Sequence, residues 1–524
     1  MKSFADTMGR KAGVPIWMLL AALLAPLPGF AADAMQLPTL GDGSEMSSSV
    51  ERRLGDRIAR EIYRDPDYID DPVLVDYVQG IWQALLAAAR ARGELSSELS
   101  ERFAWELMLG RDRTVNAFAL PGGYFGVHLG LLAVVGSRDE LASVLGHELT
   151  HVTQRHISRV MAKQAQQAPW MIGAMILGAL AASKSADAGS ALIVGGQAVA
   201  AQNQLNFSRD MEREADRIGF GVMTQAGFEA QGFVSMFEKL QQASRLNDSG
   251  AYPYLRSHPL TTERIADMQG RQPLGAGNAP SAPPSLEHAI MTARARVLSN
   301  PGVDALRAMA SVAPGTALTT GPLARQAEAL YGAALASSRL RDFGAAGQYL
   351  QRLSAVVQGD AAAARLLHWL EVEVALAAGE LKRAAALLDR APSAAGSLRQ
   401  RPELFLRAQM ALQAGDPVAA NDVAQALQVW VVARAHDAQA WQLLSSVYAI
   451  QGQLLRSIRA DAEAQVARLD YAAALDRFRA AQELMRKNEA AGAGSNGQDH
   501  IESSIIDTRK RQVELLLKEQ SLDR

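Results

Sequence analysis

The chain has no cysteine. Disulfides are therefore excluded, and stability must rest on core burial and on any bound metal. Lipid attachment through a cysteine behind an export signal is excluded for the same reason. An excess of charge of one sign is also missing, since 53 Lys and Arg face 55 Asp and Glu for a formal net charge of −2. That balance leaves no electrostatic footprint for nucleic acid, and no run of Lys or Arg marks a polybasic membrane patch. Aromatic residues make up only 6% while alanine is abundant, which favours packed helices over a β-sandwich. Long apolar runs are absent as well. Pro169 to Ala201 is rich in Gly, Ala and Ile, but Lys184, Ser185 and Asp187 break it. Neither half reaches the roughly 18 uninterrupted apolar residues of a spanning helix, so the stretch reads as a buried or lid-like helical hairpin.

The N-terminus carries an export signal in outline. Lys2, Arg10 and Lys11 form a basic region, Val14 to Ala25 a short apolar core, and Gly29-Phe30-Ala31 supplies small residues for a signal peptidase. Residues 1–31 are thus expected to be removed on export; the resemblance given below implies that the mature chain resides in the periplasm of a Gram-negative cell. From 48 to 270 the pattern predicts a compact α+β domain. It opens with helices over Val50–Tyr63 and Val73–Arg90 and a strand over Phe103–Leu109. Tyr124–Val127, bounded by a Pro-Gly-Gly turn, reads as an edge strand or hairpin. Helices follow over Arg138–Gln164 and Ser208–Gln225. A Gly/Pro/Ala-rich stretch after Gln272 opens a linker with connecting helices over 271–322. Beyond it the phrase Ala334-Leu335-Ala336-Ser337-Ser338 recurs at Ala375–Gly379, Ala411–Gly415 and Tyr448–Gly452. A small residue between paired helices at this period reads as degenerate tetratricopeptide-like repeats over 323–520, an all-α domain whose curved surface suits an extended partner segment.

One pentapeptide carries chemistry: His147-Glu148-Leu149-Thr150-His151. Two histidines at i and i+4 project to one side of a helix, one turn apart, and match two corners of a zinc tetrahedron. Glu148 is then placed to take a proton from a zinc-bound water. Leu141, Val144, Leu145, Leu149 and Val152 surround the motif with apolar side chains. A polar cluster buried there without a ligand would be costly. Between Glu148 and Glu212 there is neither Glu nor Cys, and the acids are Asp187 and Asp210 alone. On a helix with apolar face Met211, Ala215, Ile218 and Val222, Glu212 and Asp216 share one side. Glu212 is therefore the expected third ligand and Asp216 the residue that orients a ligand imidazole from behind. Glu214 is expected to face solvent. His156 is the nearest rival ligand, but its spacing from His151 puts it on a different helix face. With His128, His288, His368, His436 and His500 it reads as structural or surface. By itself, His258 before Pro259 reads as a turn cap.

Three stretches together, His147–His151, Ser208–Arg217 and Asn116–Gly123, resemble the HtpX/CAAX-prenyl-protease-type zinc metallopeptidases. The export signal and the helical repeats make the chain similar to the periplasmic, β-barrel assembly-enhancing branch of that family. The resemblance implies a zincin-type metalloprotease domain, mostly helical with a small sheet, and one Zn2+ per chain on His147, His151 and Glu212 with Glu148 as general base. It implies that Asn116, Ala117, Phe118 and Ala119 bind substrate backbone by strand addition. It places His258 and Arg264 beside the metal, stabilising the oxyanion; alternatively His258 occupies the open metal position in a resting state. The expected activity is endopeptidase cleavage of misfolded or stalled outer-membrane proteins, with the repeats docking on substrate or on the barrel assembly machinery. The competing expectation is a chaperone-like assembly factor in which cleavage is secondary. Peripheral membrane association fits either.

Overall fold

The computed structural model describes residues 46–163, 207–245, 251–272, 285–311, 321–390, 400–490 and 497–522. The expected signal peptide and the apolar stretch Pro169–Ala201 lie outside the described residues. The first half of the chain runs α1 (Ser48–Arg64), β1 (Tyr68–Ile69), α2 (Pro72–Ala91), α3 (Ser97–Arg102), β2 (Glu106–Gly110), β3 (Ala117–Leu120), β4 (Tyr124–His128), α4 (Leu129–Val134), α5 (Arg138–Thr153) and α6 (His156–Lys163). It continues through α7 (Arg209–Gln225), α8 (Gln231–Arg245), α9 (Tyr254–Ser257), α10 (Thr262–Gly270), α11 (Leu286–Ser299) and α12 (Val303–Ala310). Most of these helices start where the sequence offers a side-chain acceptor for an orphan N–H. Ser137, Ser208, Thr261 and Ser285 each accept from the third residue onward, and Asp71 accepts from Leu74 with Pro72 at the first helical position.

The four strands form one sheet in the order β1-β2-β4-β3. β2 and β4 are parallel, with Leu107 opposite Phe125, while β3 returns antiparallel against β4 with Phe118 opposite Gly126. The hairpin expected around Tyr124–Val127 is present, but Tyr124–Val127 is not its edge. β4 is buried along its whole length between two partners, and among the described residues β3 is the terminal strand. The parallel partner β2 precedes the hairpin and pairs across it, so local alternation could not reveal it. A side chain on Gly126 would collide with the Phe118 ring, its Cβ falling 2.0 Å from Cζ. Gly126 therefore lets that ring lie flat across the sheet.

Five helical pairs follow among the described residues: α13 (Leu323–Arg339) with α14 (Phe343–Val356), α15 (Ala361–Ala377) with α16 (Leu381–Asp389), α17 (Arg401–Ala414) with α18 (Ala420–Ala433), α19 (Ala438–Ile450) with α20 (Leu454–Ala467), and α21 (Tyr471–Ala490) with α22 (Gly497–Leu522). The turns inside the second, third and fourth pairs use Gly379, Gly415 and Gly452 at positive φ. In the first pair that left-handed position is Arg341, with φ 63°, not Ser338 as the recurring phrase suggested. The overall class is thus the expected one: a mostly helical α+β half with a small sheet, then an all-helical half. Among the described residues no helix is long and apolar enough to cross a membrane.

One apolar cluster runs through both halves. It contains Trp82 and Leu85 of α2, Leu141 and Leu145 of α5, Ile290 of α11, Tyr331 of α13, Trp369 of α15 and Leu406 of α17. Polar ties cross the same seam. Arg294 of α11, buried, donates to both oxygens of Asp71 at 2.7 Å, to Glu373 of α15 at 2.8 and 3.0 Å, and to the Tyr331 hydroxyl at 2.9 Å. Arg401 of α17 pairs with Asp70 and with Asp437.

Candidate metal centre

The pentapeptide lies in the last two turns of α5, a helix buried on every side. Burial all round explains why its sequence shows little amphipathic pattern. α7 crosses it at the closest approach two helices can make. Gly146 of α5 faces Gly219 of α7, and a Cβ on Gly219 would stand 2.9 Å from the Gly146 carbonyl carbon and 3.0 Å from the His147 nitrogen. Two residues without side chains let backbone meet backbone, which brings the short carboxylates of Glu212 and Asp216 into reach of His147 and His151.

Four groups converge. The Nε2 atoms of His147 and His151 are 2.9 Å apart, and Nδ1 of His258 is 3.2 Å from Nε2 of His147. Glu212 is 3.5 Å from each of the first two imidazoles and 3.0 Å from His258 Nδ1. One ligand atom from each of the four residues lies within 4.8 Å of the others, and all four side chains are buried. The donor set suits a cation: three imidazole nitrogens and a carboxylate point at one spot, and nitrogen lone pairs at such distances repel unless a proton or a metal stands between them. Among the described residues neither oxygen of Glu148 makes an aligned hydrogen bond, although the Tyr254 hydroxyl acts on that carboxyl, nor does Oε2 of Glu212, although Arg264 Nη1 is 2.8 Å from it. Buried carboxylate oxygens left in that state are expensive, and a cation with its bound water is the natural remedy.

Electrostatics separate the two glutamates. Burial lifts the Glu148 carboxyl above its ordinary value, against the pull of His258 and His147. Burial acts the same way on Glu212, but His258, His147 and Arg264 together outweigh it and hold that carboxyl below its ordinary value. A group inclined to carry a proton thus stands beside one held as an anion.

Each ligand imidazole is gripped from behind. His147 Nδ1 donates to Asp216 Oδ1 at 2.9 Å, and Asp216 accepts from Arg264 Nε at 2.6 Å and Nη2 at 2.8 Å. Burial would raise the Asp216 carboxyl, but these hydrogen bonds hold it below its ordinary value. Arg264 Nη1 also donates to the Pro259 carbonyl at 2.9 Å. Every nitrogen of that guanidinium is therefore engaged with Asp216, Glu212 or backbone. Behind His151 stands His156, with the two Nδ1 atoms 3.0 Å apart, and His156 Nε2 is 3.1 Å from Glu214 Oε2. Phe207 stacks on the His151 ring at 3.9 Å and 26°, and Tyr254 on His258 at 4.6 Å and 27°.

The structure thus brings together His147, Glu148, His151, Glu212, Asp216, His258 and Arg264. Ala117, Phe118 and Ala119 lie in the terminal strand β3, with Asn116 just before it. His156, Glu214, Phe207 and Tyr254 are the site residues that sequence reasoning missed. The expected helix over Arg138–Gln164 stops at Thr153 because Arg155 takes a left-handed φ of 52°, and α6 restarts at His156 in a new direction. The premise of one continuous helix fails at that break, although His156 stays outside the group of four converging ligand atoms, as expected. Glu214 is half-buried against His156 and Arg159. His128 and His288 keep their structural reading: His288 sits between the Tyr77 hydroxyl and the Val135 carbonyl.

A helix bearing two histidines and a free glutamate, with a carboxylate delivered by a second helix, defines a metallopeptidase. The pattern of Peptidase family M48 matches residues 81–272. The chain is 30% identical to the Beta-barrel assembly-enhancing protease of Escherichia coli (strain K12), across 87% of this chain and 91% of that one. It is 30% identical to the protein of the same name from Yersinia pestis, across 82% and 83%. Over 36% of its length it is 28% identical to the Mitochondrial metalloendopeptidase OMA1 of Saccharomyces cerevisiae, covering 54% of that protein. The chain belongs to peptidase family M48 and is a metalloprotease.

Proposed function

We propose that this metalloprotease uses one zinc ion per chain, cuts polypeptides internally, and works in the periplasm on misfolded or stalled outer-membrane proteins while assisting their assembly. The observation that carries the chemistry is the convergence of His147, His151 and Glu212 beside a Glu148 carboxylate without an aligned partner. The site of action rests on the export signal and on the name that the bacterial relatives bear.

Zinc held by His147, His151 and Glu212 would supply Lewis acidity and bring the pKa of water down to about 7. Glu148 takes the proton of the attacking water and delivers it to the leaving amine. A carboxyl lifted above its ordinary value by burial suits that exchange in both directions. His258 Nε2 stands 3.4 Å from Glu148 Oε1, close enough for the imidazole to meet the oxyanion; in the resting chain the same ring closes the fourth corner of the cluster. Arg264 acts through others, since its nitrogens hold Glu212 and Asp216 in place. A substrate strand adds to β3 at Asn116–Ala119, which leads its backbone toward the end of α5. Residues 323–520 serve as a tetratricopeptide-like domain that recruits substrate or docks on the barrel assembly machinery, joined through 271–322.

Glu148→Gln tests the reading directly. The variant should keep one zinc per chain by elemental analysis and lose proteolysis by a factor on the order of 10² to 10⁴. Glu212→Gln should instead lose zinc, and unchanged stoichiometry there rejects the third ligand. A second reading, an assembly factor in which cleavage is secondary, draws on the core that helical pairs and peptidase half share. Full support of envelope integrity by Glu148→Gln in cells would favour it.

A further inference from the structure

His151 differs from His147 in what stands behind it. His147 has the carboxylate of Asp216, the usual partner of a ligand imidazole. His151 has a second, fully buried imidazole instead, with His156 Nδ1 3.0 Å from its own Nδ1. That ring arrives there because Arg155, at a left-handed φ of 52°, breaks the helix between α5 and α6. Beyond it lie Glu214 Oε2, 3.1 Å from His156 Nε2, and Arg159 Nη1, 3.1 Å from the same oxygen.

Hydrogen placement decides what this chain of contacts does. Two ring nitrogens this close can share one hydrogen but cannot each carry one. A ligand histidine that presents the Nε2 lone pair to a cation carries its own hydrogen on Nδ1. His151 Nδ1–H therefore donates, His156 Nδ1 accepts, and the hydrogen of His156 sits on Nε2, where the Glu214 carboxylate accepts it. Arg159 steadies Glu214 in turn. Every hydrogen then has an acceptor. The opposite assignment puts the His151 hydrogen on Nε2, inside the cluster and 2.9 Å from His147 Nε2, where it blocks a cation. With Phe207 stacked on its face, the His151 ring is held in tilt by one neighbour and in tautomer by the other.

We propose that His156 and Glu214 form an imidazole–carboxylate relay that fixes the tautomer and orientation of His151 as a metal ligand. The relay rests on the zinc reading above, and its residues position a ligand without touching the reacting atoms. An acidic group reaching a ligand through a second imidazole also passes its polarisation on, making His151 a stronger donor than an isolated histidine.

The test measures metal binding to the full chain by competition with a chelator, alongside the visible spectrum of the Co2+-substituted protein. His156→Leu removes the acceptor and should weaken zinc binding by about 10- to 100-fold with a changed cobalt spectrum. His156→Asn keeps an oxygen near the Nδ1 position but not the reach to Glu214, and should recover the affinity to about the level of Glu214→Ala, roughly three- to tenfold below wild type. Glu214→Ala, at a half-exposed position that leaves the core intact, should weaken zinc by roughly three- to tenfold and decides the matter if His156→Leu does not fold. His156→Leu with wild-type affinity, or His156→Asn as weak as His156→Leu, overturns the relay; so does Glu214→Ala with wild-type affinity. A wild-type chain that binds no zinc overturns the relay and the zinc reading together, whereas the other failures leave the zinc reading standing.

Discussion

Two glycines, Gly219 and Gly221, lie close together on α7, and alanine should have opposite effects at the two positions. At Gly219 an added Cβ meets the Gly146 carbonyl carbon at 2.9 Å, its oxygen at 3.0 Å and the His147 nitrogen at 3.0 Å. All three are backbone atoms of α5 and cannot rotate away. Carbon contacts settle at about 3.5 to 4.0 Å, so the helices must part by roughly half an ångström or more. Overpacking of this kind costs about 1 to 3 kcal/mol, and the better helix propensity of alanine returns up to about 1 kcal/mol. Gly219→Ala should therefore destabilise the metal-free chain by at most about 3 kcal/mol. Its effect should extend to the site. Glu212 and Asp216 ride on α7, and a displacement of half an ångström takes both off their imidazoles, which should weaken zinc binding about 10- to 100-fold. At Gly221 the added Cβ meets only the tip of Arg92, at 2.5 Å from Nη2, and that flexible end can move. Gly221→Ala should stabilise the chain by up to about 1 kcal/mol and leave zinc affinity untouched. Urea unfolding without metal and chelator competition with zinc separate the two effects. Wild-type zinc affinity in Gly219→Ala, or an equal loss in Gly221→Ala, would refute the argument from helix contact.

Two further outcomes follow from the seam between the halves. Arg294→Met leaves Asp71 buried and Glu373 half-buried without their cation and should cost about 3 to 5 kcal/mol in denaturant unfolding; the triple change with Asp71→Asn and Glu373→Gln should recover much of it. No recovery would mean that packing, not charge, holds that joint. Glu106 of β2 is pushed up to about 7, chiefly by burial and then by Asp70 and Asp437, against Arg401 and Arg52. Between its ordinary value of 4.5 and about 7 the folded chain retains a proton that the unfolded chain has released, so this group makes stability fall as pH rises. Glu106→Gln should thus raise stability by about 1 to 3 kcal/mol at pH 8 and change nothing at pH 4, and thermal melts showing equal gains at both pH values would contradict it.

Whatever depends on regular helical geometry was legible in the sequence. The spacing of His147 and His151 and the shared side of Glu212 and Asp216 needed only the helical repeat, and both pairs meet as that repeat requires. Where the chain leaves regular geometry, legibility ended. The left-handed turn at Arg155 is taken by a residue with no special preference for it, so nothing announced that His156 would fold back on His151. Arg341 hid the first inter-helix turn in the same way. The central place of β4 was invisible because its parallel partner β2 precedes the hairpin and pairs across it, which local alternation does not reveal. Phe207 lies just before the cap of α7 and carries no motif; its stacking on His151 is purely tertiary.

The apolar cluster that runs from α2 and α5 into α17 has a thermodynamic consequence. The first two helical pairs and the catalytic helix draw their stability from a single reservoir, so those pairs and the helix resist loosening together. Any partner that recognises only the folded pairs must also raise the work of opening the metal site, by RT ln(1 + [L]/Kd), or about 2.7 kcal/mol at a hundred times its dissociation constant. Docking far from the cluster would thereby make loss of the cation by way of the unfolded chain rarer, with no change of shape at either end.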